Sequence, residues 1–289
     1  MSATNSVEKI NGPDGSLEKV ILHGEDSSLV EIYLFGATIT SWKSQGKERL
    51  FLSKQAKLDG SKAIRGGIPL VFPQFGPGEL PQHGFARTRK WSLIGTKKHG
   101  SGVIAQFELT ENADTLASKW PYRFVLRYTV TMTKNTLSTI IEYENNDTRK
   151  FSFTSLMHTY FRVPSIDHTV VGGLKDSQYA DKVKQTTNEV ELRDDITIAA
   201  NEDRVYENVP GVVDVRYGGE RVTIKRFNFK DIVLWNPWAE KAQEMSDFGN
   251  TEYKEMVCVE VGTVAKKIEL RPGQTFSCGQ LLTVETADN

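Results

Sequence analysis

The sequence predicts an all-β protein, a large antiparallel β-sandwich with little helix. Three observations carry this. Apolar residues recur with a period of two, turn-forming clusters separate the alternating stretches at hairpin-like intervals, and only one short segment has helical character. Along the chain the first turn signal is Gly12-Pro13-Asp14-Gly15. Val103, Ala105, Phe107 and Leu109 then alternate with polar neighbours, and Asn112 to Lys119 could make about two helical turns. From Phe124 to Met132 the residues Phe124, Leu126, Tyr128, Val130 and Met132 share one face, opposite Val125, Arg127, Thr129 and Thr131. Leu137, Thr139, Ile141 and Tyr143 repeat the pattern before Asn145-Asn146-Asp147, and Tyr217-Gly218-Gly219 marks a later hairpin. Alternation of this kind identifies half-buried strands but does not distinguish one sandwich from another.

At 289 residues the chain could form two small domains, but sandwiches of this size commonly form one. No interior linker, internal repeat or low-complexity tract interrupts it, so one domain is expected over residues 1–289, with about residues 1–15 loosely held. Lysine plus arginine (36) nearly balances aspartate plus glutamate (37), so no global field favours nucleic acid or an acidic membrane surface. Any anion must be recognised locally. The N-terminus lacks a hydrophobic signal region and no apolar run is long enough to span a bilayer, so a soluble cytoplasmic protein is expected. Cys258 and Cys278 are the only cysteines, and without metal-type spacing they argue against a disulfide scaffold or a structural zinc site.

The densest concentration of chemistry lies between Ser61 and Arg89. Arg65-Gly66-Gly67-Ile68-Pro69-Leu70-Val71-Phe72-Pro73 is followed by Gln82-His83-Gly84-Phe85-Ala86-Arg87. Glycine and proline force these segments to turn, glycine lets backbone approach a ligand closely, and arginine's planar fork suits phosphate or carboxylate. An anionic or polyhydroxylated ligand follows. Further on, His158 shares a strand face with Thr154, Leu156 and Tyr160. It is either a core histidine satisfied by a hydroxyl or a proton-transfer group. Glu260 interrupts the apolar run Met256 to Val261; a carboxylate there must be ion-paired, edge-exposed or functional.

Taken together and in this order, the Ser61–Arg89 segment, Phe153-Thr154-Ser155-Leu156-Met157-His158-Thr159-Tyr160-Phe161, Asp203 with Val205-Tyr206, Trp235-Asn236-Pro237-Trp238 and Val257-Cys258-Val259-Glu260 resemble the aldose 1-epimerase (galactose mutarotase-like) superfamily, and within it the hexose-6-phosphate mutarotase branch. The resemblance runs from about Phe35 to Leu282. It implies a β-sandwich whose concave face holds a sugar, and an enzyme that interconverts α and β anomers of hexose 6-phosphates without a cofactor or metal. It implies His158 as general acid and Glu260 as general base, with Asp203 and His83 as sugar contacts. Arg65, Gln82 and Arg87 are expected to bind phosphate. Arg65 matches a position that is also arginine in members acting on plain sugars, so the phosphate expectation leans on Gln82 and Arg87. Arg89 and Lys241 are possible auxiliaries, and Trp235 or Trp238 is expected to form a wall of the sugar site. Two other readings stay open: an aldose 1-epimerase for unphosphorylated sugars and a non-catalytic carbohydrate-binding sandwich. The expected partner is a small-molecule hexose phosphate.

Overall fold

The computed structural model describes residues 5–286 of the chain. The alternating stretches are strands: Phe124, Leu126, Tyr128 and Val130 are fully buried on Phe124–Met132, which pairs antiparallel with Gly102–Thr110 and Thr136–Asn145. These three belong to a nine-stranded sheet that starts at Asp195–Ile196 and ends at Ser92–His99. Gly218 and Gly219, both with positive φ, make the two-residue turn between its members Val213–Tyr217 and Glu220–Phe227. A five-stranded antiparallel sheet uses residues 6–48.

The third sheet has eight strands and positions the site. Its main path runs Thr186–Val190, Gln178–Asp181, Glu202–Glu207, Asp231–Asn236, Met256–Leu270, Phe151–Met157 and Leu70–Val71, with the short strand Tyr160–Arg162 also pairing on Met256–Leu270. Alternation sorts the residues of Met256–Leu270 sharply. Val257, Val259 and Val261 enter the main core with Ile39, Phe107 and Leu126 from the other two sheets. Met256, Cys258 and Glu260 therefore point to the opposite face. That face carries two small apolar clusters of its own, one including Phe51, Tyr160, Phe248 and Cys258, the other Val71, Leu156, Val205 and Val233.

Three local features differ from the sequence reading. The stretch expected to be loose includes the strand Ser6–Asn11, paired antiparallel with Leu17–His23 across the Gly12–Gly15 turn; backbone pairing holds it although little of it is buried. Residues 1–4 lie outside the described residues. The expected two-turn helix shrinks to Ala113–Leu116, closed by a capping box between Asn112 and Thr115. A second helix, Trp238–Glu244, follows Pro237 directly. Its Ala-Glu-Lys-Ala-Gln-Glu composition is strongly helix-forming, but the Trp-Asn-Pro-Trp motif invited reading as a sugar wall instead. Among the described residues no helix is long and apolar enough to cross a membrane.

Gly66 and Gly67 bring the Arg65 segment against two other strands. Both have positive φ, and a Cβ on Gly67 would lie 1.9 Å from the Ile39 carbonyl oxygen, one on Gly66 2.5 Å from that of Phe51. Replacement of Gly67 by alanine should therefore cost on the order of 3 kcal/mol or more, the sum of strain and backbone displacement. Gly46→Ala, with φ +73 but nothing within 4 Å, should cost only about 1 kcal/mol. Urea unfolding of the two variants checks this, and equal losses would contradict the role given to the close approach.

Candidate active site

Register builds the centre of the site. Leu156 pairs with Gly262 and Met157 with Val261; beyond a short break, Tyr160 pairs with Cys258 in the same frame. His158 consequently stands opposite Glu260. On the other side of Met256–Leu270, Val233 faces Glu260 and Trp235 faces Cys258, while Val205 and Asp203 continue the two rows. One row of the sheet thus holds Asp203, Trp235, Cys258 and Tyr160, and the next holds Val205, Val233, Glu260 and His158.

Above these rows lies a cavity of about 640 Å³. Arg65, Gln82, His83, His158, Asp203, Trp235 and Glu260, all named from sequence, line it, as does Lys241. Arg87 does not. Its guanidinium donates to the Gln82 carbonyl oxygen (2.8 Å), and its Nε is buried without a partner. Arg89 is turned to Asp114 at 2.8 Å and takes no part in the cavity lining. Lys241 lies 3.8 Å from Glu244. Trp235 supplies the wall, whereas Trp238 packs on Tyr253.

The His158 ring is boxed by three others. Tyr160 stacks on it at 4.5 Å and 8°, and His83 and Trp235 meet it edge-on at 5.8 and 6.0 Å. Its Nδ1 lies 3.4 Å from a Glu260 carboxylate oxygen but forms no hydrogen bond and is sealed from solvent, which leaves Nε2 to face the cavity. Burial acts on both groups: His158 is 7% exposed and Glu260 1%. Burial, reinforced by the nearby positive charges of Arg87 and Arg65, holds the imidazole well below its ordinary pKa. Burial, reinforced by the Asp203 carboxylate, pushes Glu260 well above the usual carboxylate range. Both shifts favour the uncharged forms, a neutral imidazole beside a protonated carboxyl.

His83 adopts a left-handed backbone conformation, φ 68°, uncommon for a non-glycine residue. Its Nδ1 accepts from the Gly76 N–H at 3.2 Å, so the ring carries its proton on Nε2 and can donate into the cavity. Burial, with the Arg87 charge, pushes its pKa down to about 3, so it stays neutral.

Several participants had no signal in the sequence. Asp247, 2% exposed, pairs with Arg65 at 3.2 Å and Lys62 at 3.0 Å, and Arg65 also donates to the Tyr160 hydroxyl. The single Asp247 carboxylate, shared with Lys62, offsets part of the Arg65 charge from 182 positions along the chain. Lys182 lies 4.2 Å over the Phe75 ring and 4.0 Å from Asp203, and both Lys182 and Phe75 line the cavity. Cys258 sits buried beside Glu260, while Cys278 is in the other core near the Tyr143 hydroxyl.

The aldose 1-epimerase family model matches residues 18–283. A Cenchrus ciliaris protein named "Putative glucose-6-phosphate 1-epimerase" is 39% identical over 280 residues, covering 93% of this chain and 85% of that protein. An Escherichia coli protein of the same name is 35% identical over 234 residues, 78% and 77% of the two chains. Among solved structures, one titled a "putative mutarotase" from Salmonella typhimurium superposes with a TM-score of 0.86 at 27% identity over 97% of both chains. A galactose 1-epimerase from Lactobacillus acidophilus shares the fold, with a TM-score of 0.77 at 13% identity over 99% of both chains. With a family model spanning nearly its whole length and relatives above 30% identity over most of theirs, this chain belongs to the aldose 1-epimerase family.

Proposed function

We propose that this protein interconverts the α and β anomers of hexose 6-phosphates, glucose 6-phosphate foremost, with His158 and Glu260 as the proton-transfer pair. The observation that carries the reading is the placement of these two groups 3.4 Å apart, Glu260 on Met256–Leu270 and His158 in the break between Phe151–Met157 and Tyr160–Arg162, at the floor of a cavity bordered by Arg65, Gln82, His83, Asp203 and Trp235. The relatives' names supply the phosphosugar.

Ring opening moves two protons. Glu260 as carboxylate takes the proton of the C1 hydroxyl, the C1–ring-oxygen bond breaks as C1 becomes a carbonyl, and His158 as imidazolium protonates the departing oxygen. After rotation about C1–C2, closure on the other carbonyl face returns both protons. The ionic pair thus accompanies the cyclic sugar, and the neutral pair accompanies the open-chain aldehyde. Burial favours the neutral pair, so the site's electrostatics lean toward the less stable open form. Asp203 and the neutral His83 would hold sugar hydroxyls, and Trp235 would offer its indole to the apolar C–H face of the ring.

One observation favours a second reading. Because Asp247 offsets part of the Arg65 charge, the cavity's capacity for a dianion is smaller than two free arginines would give, which suits an unphosphorylated aldose. Arg87 decides between them. If its charge serves the phosphate, Arg87→Ala should remove about 1.5 to 3 kcal/mol of binding, roughly a ten- to hundred-fold rise in KM for glucose 6-phosphate. Exchange of plain glucose should barely change. Equal effects on both sugars, or none on either, would place the anion site elsewhere and favour the plain aldose.

His158→Asn and Glu260→Gln should each leave the fold intact and slow anomer exchange by roughly 100- to 10,000-fold. The double variant should lose less than the product of the single losses, because both groups serve one relay. Exchange NMR of the α and β C1 protons measures all three; a folded single variant with a near-native rate would remove that residue from the mechanism.

A further inference from the structure

The same strand pairing that sets His158 against Glu260 places Cys258 beside them. Cys258 is two residues before Glu260 on Met256–Leu270 and so shares its face, while Tyr160, two residues beyond His158, pairs with it across the strands. One imidazole nitrogen, one thiol sulfur and one carboxylate oxygen consequently lie within 4.8 Å of one another, all buried. Cysteine spacing carried no hint of this, since Cys258 and Glu260 lie on Met256–Leu270 and His158 comes from a distant segment just after the strand Phe151–Met157.

A second, independent feature points to a ligand. His158 Nδ1 is sealed from solvent with no hydrogen-bond partner, although a carboxylate oxygen lies 3.4 Å away. That separation is the edge expected between nitrogen and oxygen ligands of a tetrahedral zinc ion, since bonds of about 2.0–2.2 Å at the tetrahedral angle give roughly 3.4 Å. The remaining separations, up to 4.8 Å, must shorten on binding, and a water completes the set. Magnesium and calcium prefer all-oxygen sites, whereas a thiolate, an imidazole and a carboxylate suit zinc and its softer analogue cadmium.

We propose that His158, Cys258 and Glu260 form an inhibitory site for a thiophilic divalent cation, which stops the protein's reaction by ligating both proton carriers. Binding joins the metal to Nδ1, to the Cys258 thiolate and to the Glu260 carboxylate. The thiol proton, with that of Glu260 where the carboxyl is protonated, goes to solvent, and no electrons change hands. The ion is an inhibitor, with no part in anomer exchange. The inhibition rests on the mutarotase reading above, but the binding does not.

The test titrates cadmium into the EDTA-treated full-length protein and follows two signals, the thiolate-to-cadmium charge-transfer absorption and the rate of glucose 6-phosphate anomer exchange. The absorption should rise to one equivalent as the rate falls in parallel, and EDTA should reverse both. Cys258→Ala should lose the absorption and, measured against its own metal-free rate, tolerate at least ~10- to 100-fold more metal, the cost of losing even an outer-shell partner. Cys278 is the only other thiol, so Cys278→Ala should behave as wild type. Should Cys258→Ala misfold, the Cys278→Ala protein still assigns the absorption to Cys258. An absent absorption in wild type, an absorption that follows Cys278, or undiminished inhibition of folded Cys258→Ala would overturn the site. Full occupancy with an unchanged rate would overturn the inhibition. A protein without exchange activity that still shows the Cys258 absorption would instead refute the mutarotase reading and leave the metal site standing.

Discussion

A carboxyl and an imidazole face each other across two strands in a place where neither is well solvated, and most of the surrounding structure serves that arrangement. The antiparallel ladder between Met256–Leu270 and its neighbours sets the frame. A slip of one residue would turn Glu260 into the main core and bring Val259 or Val261 to the cavity, because side chains alternate between faces. Such a slip is opposed by the whole buried set of Val257, Val259 and Val261. The catalytic geometry proposed here is thus held by hydrophobic pairing, which is strong and cooperative, rather than by the weak direct contact between the two polar groups.

The same packing tunes the chemistry. Tyr160 and Cys258 on one side, and Leu156, Val205 and Val233 on the other, enclose the pair in apolar surface. Low local polarity disfavours charge on both groups, a preference that suits the proton exchange proposed for the pair. Nearby charges then differentiate them: Asp203 acts against ionisation of Glu260, while Arg65 and Arg87 act against protonation of His158. Arg65 also has a structural commitment, since Asp247 and the Tyr160 hydroxyl hold its guanidinium. Its fixed position beside the tyrosine that stacks on His158 links the arginine side of the cavity to the His158–Glu260 pair.

The strands were largely legible because a half-buried strand writes its burial directly as alternation; Phe124 to Met132 is the plainest case. The site was legible only as an ordered set of motifs. Glycine-rich turns flagged Arg65 and His83, and a carboxylate within an apolar run flagged Glu260. What escaped the sequence depends on pairing between distant segments. Asp247 lies in an unremarkable Ser-Asp-Phe, Lys182 in an exposed hairpin, and the Arg87 guanidinium is held by the Gln82 carbonyl rather than lining the cavity. No local pattern encodes these. The helix Trp238–Glu244 had a composition signal, but a neighbouring motif with a more inviting interpretation hid it.

The central claim is that the buried His158–Glu260 pair transfers protons to a phosphorylated sugar. Its most direct measurement is magnetisation exchange between the α and β C1 protons of glucose 6-phosphate, with plain glucose and galactose run alongside. A hexose-6-phosphate mutarotase at catalytic concentration should accelerate exchange of glucose 6-phosphate well above the spontaneous rate, and more than that of either plain sugar. A folded protein that leaves all three at their spontaneous rates would contradict the claim outright, and one that accelerates only the plain sugars would contradict its phosphosugar half.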